Sequence, residues 1–209
     1  MIVIPELHKI VVMPPRSGST ALKAALLWKY EHAYAAFRHG EWNMTKHIWG
    51  PDVDHGYTAV YPLRNPSDRL VSLWRYMQDV SPTRNPRAPQ EWIDRVRMDA
   101  SRPFSHWLHT STELFNESRA QPNDGSQESY YCTFYNVPAA RKDARYFLAG
   151  CPSFEVLRFG DNEDYRRILD INMPDVDNAS TFREVVLSDK DHAFIEEHHH
   201  TDLILKGTI

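Results

Sequence analysis

The segment from Val11 to Thr20 reads VVMPPRSGST, and it constrains the fold of this 209-residue chain more than any other segment. An apolar run passes directly into a polar loop, and a helical pattern follows over 21–28. The first N–H groups of a helix have no partner within the helix, and the helix dipole favours an anion at that end. The segment therefore predicts a strand, a loop and a helix that together bind a phosphate or sulfate group, with an ordinary serine-capped turn as the alternative. The loop residues that would bind the anion are Arg16, Ser17, Gly18, Ser19 and Thr20.

The same loop lacks two common nucleotide-binding patterns. The triphosphatase pattern G-x-x-x-x-G-K-[ST] needs a lysine after its second glycine, whereas Ser19 follows Gly18 here. The dinucleotide pattern G-x-G-x-x-G is absent as well. The loop alone therefore predicts an anion without identifying it.

Apolar segments that alternate with amphipathic ones predict an α/β fold, a parallel sheet flanked by helices. Strands are predicted at 9–13, 33–38, 57–63 and 153–159, and helices at 19–30, 66–79, 90–100, 103–115, 161–170 and 188–206. Pro62 cannot donate a backbone hydrogen bond, so we expect it near the end of its strand. The length favours a single domain over 1–209.

A second group of polar residues lies between Tyr61 and Tyr76, in the sequence YPLRNPSDRLVSLWRY. Arg64 stands at the end of a predicted strand and Ser72 lies in the following helix, so both side chains can reach one phosphate. Taken alone, Arg64 is typical of a surface or ion-paired arginine. Arg69 is expected to be solvated or paired on the surface of its helix. Ligands of α/β sheets bind beyond the carboxyl ends of the strands, where both polar segments fall.

Together the two segments resemble the motifs of the sulfotransferase family. The loop PRSGST over 15–20 matches the family pattern P-[KR]-S-G-[ST]-[ST], which binds the 5′ end of 3′-phosphoadenosine-5′-phosphosulfate (PAPS). The segment RNPSDRLVS over 64–72 matches R-[ND]-P-x-[DE]-R-x-x-S, which binds the 3′-phosphate. The resemblance implies a P-loop-like sulfotransferase fold with PAPS as the donor. It assigns 16–20 to the 5′ end and both Arg64 and Ser72 to the 3′-phosphate.

The resemblance is close over 10–76 and loose over 153–205. The segment FEVLRFGD over 154–161 looks like the late strand of the family, although Gly160 replaces its usual acidic residue. The tail from 174 resembles that of carbohydrate-type members, and residues 80–150 would shape the acceptor site. Residues that would close over the nucleotide are Asn178, Ser180 and Arg183. Aromatic residues that either line an acceptor pocket or pack in the core are Tyr130, Tyr131, Phe134 and Tyr135.

The resemblance also implies a base that takes the proton of the acceptor hydroxyl. The segment NMTKH over 43–47 resembles that of members with a histidine base, so His47 is the predicted base, with His55, His39 and Glu41 as competitors. Arg16 stands where many relatives have lysine. Because arginine is a poor proton donor at neutral pH, we expect Arg16 to stabilise charge on the leaving phosphate. Transfer would be an in-line displacement at sulfur with no metal required.

Composition limits the possible partners and locations. The net charge of −4 argues against a general nucleic-acid-binding surface, which would be basic. Residues 1–104, however, contain 14 Lys+Arg against 10 Asp+Glu, and this basic half suits a small polyanionic ligand. No transmembrane segment or secretory leader is expected, and a cytoplasmic location follows as the default. The run His198 to His200 lies in a helical pattern, where its members are expected at the surface and not on a metal.

The preferred interpretation is transfer of a sulfuryl group from PAPS to a saccharide or glycolipid hydroxyl. The oligomeric state is left open by the sequence. A small-molecule P-loop-type kinase is one rival, although its G-K-[ST] pattern is absent. A noncatalytic nucleotide-binding protein of the same fold is another. It would keep Arg64 and Ser72 but lack a productive base.

Overall fold

A computed structural model describes residues 1–36, 40–50, 56–81, 83, 90–110, 142–173 and 185–207. The chain divides into two compact units. The sheet unit contains the described parts of Met1–Asn65, Asp143–Arg183 and His200–Ile209, and the helical unit contains those of Pro66–Lys142 and Glu184–His199. The expectation of one domain over 1–209 stays a prediction.

The sheet unit contains a five-stranded mixed sheet in the order β3-β1-β2-β4-β5. Its strands are β1 (Ile2–Ile4), β2 (Lys9–Val11), β3 (Tyr34–Ala35), β4 (Thr58–Leu63) and β5 (Phe154–Arg158). β2 pairs parallel to β4, and β4 pairs parallel to β5. β1 pairs antiparallel to both β2 and β3. The α/β class is therefore confirmed, whereas the prediction of a parallel sheet is correct for the β2-β4-β5 part alone.

The short connection between β1 and β2 explains the antiparallel strand, which the sequence prediction missed. A 3₁₀ turn, Pro5–Leu7, and His8 are all that separate the two strands. A parallel crossover needs a dozen or more residues, so this connection can only form a hairpin. His8 reverses the chain with a φ of 50°.

Pro62 lies where the sequence predicts it, close to the end of β4. The pairing of β4 with β2 ends at Val60, whose carbonyl accepts the N–H of Val12 at 3.1 Å. Pro62 is aligned with Leu157 of β5 but lies beyond the part of β4 that β2 pairs with. The missing N–H of proline therefore costs no bond to β2.

The helices are α1 (Ser19–Lys29), α2 (Lys46–Trp49), α3 (Pro66–Gln78), α4 (Gln90–Ala100), α5 (Phe104–Thr110), α6 (Ala144–Phe147), α7 (Asn162–Leu169), α8 (Asp189–His198) and α9 (His200–Lys206). A second 3₁₀ turn covers Trp42–Thr45. The predicted helices at 19–30, 66–79, 90–100 and 161–170 are confirmed within one or two residues. The predicted helix at 188–206 is two helices, which break at His199. Within the described ranges, no helix is long and apolar enough to cross a membrane.

The core of the sheet unit forms between the sheet and two helices. α1 contributes Leu22 and Leu26, which are one turn apart. α7 contributes Tyr165, Ile168 and Leu169. The hydroxyl of Tyr30, just after α1, donates to the carbonyl of Leu169 at 2.6 Å and ties the ends of the two helices together.

Two buried aspartates join distant segments of the sheet unit. Asp202 of α9 accepts the N–H of Ala144 at 3.0 Å and the hydroxyl of Tyr61 at 2.9 Å. Asp143 accepts the N–H of Arg145 at 3.1 Å and that of Thr201 at 3.2 Å. Asp202 of α9 therefore binds an N–H in the first turn of α6, and Asp143 binds N–H groups in the first turns of both α6 and α9. β4 is attached through Tyr61.

The helical unit has its own apolar core, which α3, α4, α5 and α8 form. Arg69 of α3 lies within this unit and is only 2% exposed, which contradicts the expected solvated position. The reason is that α3 is buried continuously from Arg69 to Leu73, more than one helical turn. The Arg69 guanidinium donates to the carbonyl of Lys142 at 2.6 Å and lies 3.1 Å from Nδ1 of His199. His199 is itself fully buried, so it is not the surface residue expected of the histidine run.

Asp191 joins α8 to α5 through a fully buried carboxylate. One oxygen accepts the Ser105 hydroxyl at 2.7 Å and lies 3.0 Å from Nε2 of His109, and the other accepts the N–H and the hydroxyl of Ser188. Burial alone would raise the pKa of Asp191, but the hydrogen bonds outweigh it and the pKa falls below the ordinary 3.8. The ionised carboxylate therefore stabilises the fold above that value, and this contribution is lost as the pH falls through the lowered pKa.

We expect Asp191→Asn to lower the free energy of unfolding at pH 7 by about 1–3 kcal/mol, because buried donors lose their charged acceptor. Stability of the variant should also fall less steeply than that of the wild type between pH 5 and about pH 2. Denaturant unfolding across this range measures both effects. Asp189→Asn, an exposed carboxylate in the same helical turn, is the matched control. Parallel acid profiles for Asp191→Asn and wild type would contradict the assignment.

Candidate functional site

The loop between β2 and α1 is held by Ser17. Its hydroxyl donates to the carbonyl of Pro14 at 2.7 Å, and its N–H points to the same oxygen at 3.4 Å. Ser17 is completely buried. Its side chain therefore fixes the turn, and the geometry favours a positioning role over direct contact with a ligand.

Gly18 opens α1 with a left-handed backbone, at a φ of 75°. Its carbonyl accepts the first helical hydrogen bond, from Leu22 at 3.0 Å. Because glycine has no side chain, it cannot cap the N–H groups of the first turn itself. Ser19 is half-buried and Thr20 is exposed in that turn. The helix start thus has the backbone N–H groups and hydroxyls that an anion needs.

Arg64 brings the second predicted motif to this loop. It directly follows β4, and its Nη1 donates to the carbonyl of Arg16 at 2.9 Å, across 48 residues of sequence. β2 and β4 are adjacent and parallel, so the residues that follow them emerge at the same edge of the sheet. The loop that contains Arg16 and the guanidinium of Arg64 therefore lie together at the carboxyl edge, beside the start of α1.

Arg16 adopts a backbone conformation that its side chain disfavours. Its φ is 67°, in the left-handed region that costs a non-glycine residue about 1–2 kcal/mol. Such strain is retained at binding and catalytic sites when the side chain is needed there. The strain at Arg16 is consistent with a functional side chain on this loop.

Phe159, for which the sequence predicts no role, completes the same cluster. The Arg64 guanidinium carbon lies 5.2 Å from the centre of the Phe159 ring, within the range of a cation–π contact. A Cβ added to Gly18 would lie 2.6 Å from Cε2 of the same ring, which is closer than van der Waals contact allows. Gly18 is therefore required by both its backbone angle and its neighbour. Gly160 is the residue in the sequence that marks a turn at this point, because its φ of 92° requires glycine after Phe159.

Ser72, the other residue of the second motif, lies on α3 in the helical unit. It is 5% exposed. Asp68 of the same motif is exposed. The assignment of Ser72 to the 3′-phosphate stays a prediction from the motif.

The short helix that contains His47, the predicted base, is located by ring contacts of Trp49. His47 lies in α2, which ends at Trp49, and the Trp49 ring stacks on that of Tyr57 with centroids 5.3 Å apart. The Tyr57 ring in turn lies 5.5 Å from that of His8. His8 and Tyr57 immediately precede β2 and β4, so α2 ends at the amino edge of the sheet, opposite Arg16 and Arg64.

Of the competing bases, Glu41 is the one that lies among the described residues. Glu41 is buried at the start of the 3₁₀ turn, where its backbone carbonyl accepts the N–H of Met44 at 3.1 Å. His39 and His55 lie outside the described residues, as do the aromatic residues predicted over 130–135 and the closing residues predicted over 178–183. In the part of the chain that is described, no group of three or more His, Cys, Asp or Glu residues has the arrangement of a metal site.

We expect Arg16→Gly to preserve stability or raise it by up to about 1 kcal/mol, since relief of left-handed strain offsets the greater flexibility of glycine. Affinity for inorganic pyrophosphate should fall about tenfold or more, because a charged hydrogen-bond donor is lost. Calorimetric titration and denaturant unfolding measure the two effects. His8→Gly relieves a φ of 50° at the other edge and should leave binding unchanged. Undiminished anion binding by Arg16→Gly would exclude its proposed contact.

Comparison of the chain with protein-family models, curated proteins and solved structures finds no match. The candidate site combines a helix start, a strained arginine loop and a second arginine, all at the carboxyl edge of two parallel strands.

Proposed function

We propose that this chain binds PAPS through the β2–α1 loop and Arg64, and transfers its sulfuryl group to a hydroxyl acceptor. The observation that supports this most is the hydrogen bond from Arg64 to the carbonyl of Arg16 at 2.9 Å. It joins the two segments that resemble the 5′ and 3′ motifs of sulfotransferases. An ordinary serine-capped turn gives no reason for a distant arginine to lie on the loop.

Each part of the loop has a distinct role in this proposal. The first N–H groups of α1 and the hydroxyls of Ser19 and Thr20 bind the 5′ sulfate and phosphate. Ser17 fixes the turn, and Gly18 allows the close approach. Arg16 stabilises the charge that develops on the leaving phosphate. Arg64 binds the 3′-phosphate, a role that the motif also gives to Ser72.

The transfer is a single displacement at sulfur. The acceptor oxygen forms a bond to sulfur while the bond from sulfur to the bridging phosphate oxygen breaks. The electron pair of that bond leaves with adenosine 3′,5′-bisphosphate, and the acceptor proton passes to a base. His47 is the proposed base, and a saccharide or glycolipid hydroxyl is the proposed acceptor, by resemblance of the tail to carbohydrate-type members.

A noncatalytic nucleotide-binding protein is the second candidate. It is favoured by the stacking of Trp49 on Tyr57, which places the end of the His47 helix at the edge opposite Arg16 and Arg64. A nucleotide bound at Arg16 and Arg64 would then have no base beside it, and the protein would bind the nucleotide without transferring its sulfuryl group. The two candidates share the nucleotide site and differ only in the base.

We expect the wild type to bind adenosine 3′,5′-bisphosphate more tightly than adenosine 5′-monophosphate or ATP, because only the first has a 3′-phosphate for Arg64. Arg64→Met should weaken bisphosphate binding about 10- to 100-fold, as expected for a charged hydrogen bond. Arg166→Met, an exposed arginine of α7, is the control. Isothermal titration calorimetry measures all three nucleotides. A preference for ATP would favour the kinase and overturn the proposal.

We expect His47→Ala to retain affinity for adenosine 3′,5′-bisphosphate and to lose about 99% of turnover or more, since a general base contributes about 10²–10⁴-fold. Transfer of labelled sulfate from PAPS to a panel of sugars measures turnover. His192→Ala, an exposed histidine of α8, serves as the matched variant. Full activity of His47→Ala would eliminate this base. Binding with no turnover in any wild-type assay would favour the noncatalytic candidate.

A further inference from the structure

Phe159 is held beside Arg64 by the backbone on both of its sides. Its N–H donates to the carbonyl of Leu63 at 2.8 Å, which extends the pairing of β4 and β5 by one residue. The next residue, Gly160, has a φ of 92°, and the N–H of Asp161 returns to the carbonyl of Arg158 at 3.1 Å. A turn with a positive φ at its third residue needs glycine there. Phe159 is thus the second residue of a tight turn at the end of β5.

The rest of the turn is anchored to α7. Asp161 caps this helix by accepting the N–H groups of Glu163 and Asp164. The Asp164 carboxylate in turn accepts the N–H of Arg158 at 3.1 Å and pairs with its guanidinium. The positions before and after Phe159 are therefore fixed by separate bonds, which hold its backbone in place.

The Phe159 ring contacts both segments of the proposed site. It lies against the Cα side of Gly18 and 5.2 Å from the guanidinium carbon of Arg64. The Arg64 guanidinium therefore has two contacts, one to an aromatic ring and one to the carbonyl of Arg16. A guanidinium held in this way loses less freedom when it binds an anion, which raises affinity without a new contact to the ligand.

We propose that Phe159 is a positioning residue that sets the Arg64 guanidinium and thereby determines selectivity for a nucleotide with a 3′-phosphate. The identity of the ligand in this inference rests on the proposed function. Its structural half, the positioning of Arg64 by the Phe159 ring, does not depend on a ligand. A cation–π contact changes affinity through Arg64, so removal of the ring affects the 3′-phosphate more than the 5′ end.

The test compares Phe159→Leu, which keeps apolar bulk, with Phe159→Trp, which keeps an aromatic face. Phe159→Leu should weaken binding of adenosine 3′,5′-bisphosphate about 3- to 30-fold, the equivalent of a cation–π contact, and change adenosine 5′-monophosphate binding less than about twofold. Phe159→Trp should restore most of the lost affinity. In an Arg64→Met background, Phe159→Leu should have no further effect on the bisphosphate. Phe154→Leu, on the exposed side of β5, is the control.

Equal losses for the two nucleotides, or no recovery of affinity in Phe159→Trp, would show that Phe159 only supports the loop and would overturn the inference. Failure of the proposed function looks different, because the wild type would then show no preference for the bisphosphate. A ligand-free double-mutant cycle of Phe159→Leu and Arg64→Met decides the structural half in that case. Non-additive shifts of the urea midpoint support the positioning of Arg64 by the ring, and additive shifts overturn it.

Discussion

The candidate site depends on the parallel pairing of β2 with β4. This pairing aligns Val11 with Val60 and makes both strands end at one edge of the sheet. The loop with Arg16 and the arginine after β4 meet there, although 48 residues separate them. An antiparallel arrangement would have sent Arg64 to the opposite edge. The sheet therefore brings together two short motifs, each of which is a weak signal when taken singly.

The position of β5 adds the third member of the cluster. β5 pairs with β4 in parallel, so its end also reaches the carboxyl edge. Phe159 and Gly160 follow it there, and the ring lies against the helix start and Arg64. Three parallel strands thus each deliver one element: a loop with a helix start, a cation, and an aromatic surface that holds the cation. The antiparallel β1 contributes to the core and takes no part in the cluster.

The sequence predicts correctly those helices and strands that are determined by the spacing of neighbouring residues. The helical periodicity of 66–79 and 161–170 and the strands at 57–63 and 153–159 are confirmed because short-range spacing determines them. Pro62 was placed correctly because its chemistry excludes it from a central ladder. β1 was missed because three apolar residues are too short to give a periodic signal. Its antiparallel direction follows from the four-residue connection between β1 and β2. The length of that connection could be used only after β1 had been recognised as a strand.

Features that depend on tertiary contact were not accessible from the sequence. The burial of Arg69 and His199 results from partners distant along the chain. The hydroxyl of Ser17 was expected to face an anion, yet a carbonyl three residues earlier accepts it. The role of Phe159 needs the fold, because only the sheet places it against Gly18. The position of the His47 helix likewise depends on the stacking of Trp49 on Tyr57, which no motif encodes.

The bonds of Asp202 to Ala144 and Tyr61 have a consequence for synthesis of the chain. β4 emerges from the ribosome long before Asp202, which lies 141 residues after Tyr61. The sheet unit is therefore completed late, after the segments of the helical unit that lie between its parts have been made. Contacts this distant slow folding and leave partly formed sheet edges exposed in the interval. The nascent chain thus passes through a stage in which Arg16 and Arg64 have both been made but the carboxylate that secures β4 has not.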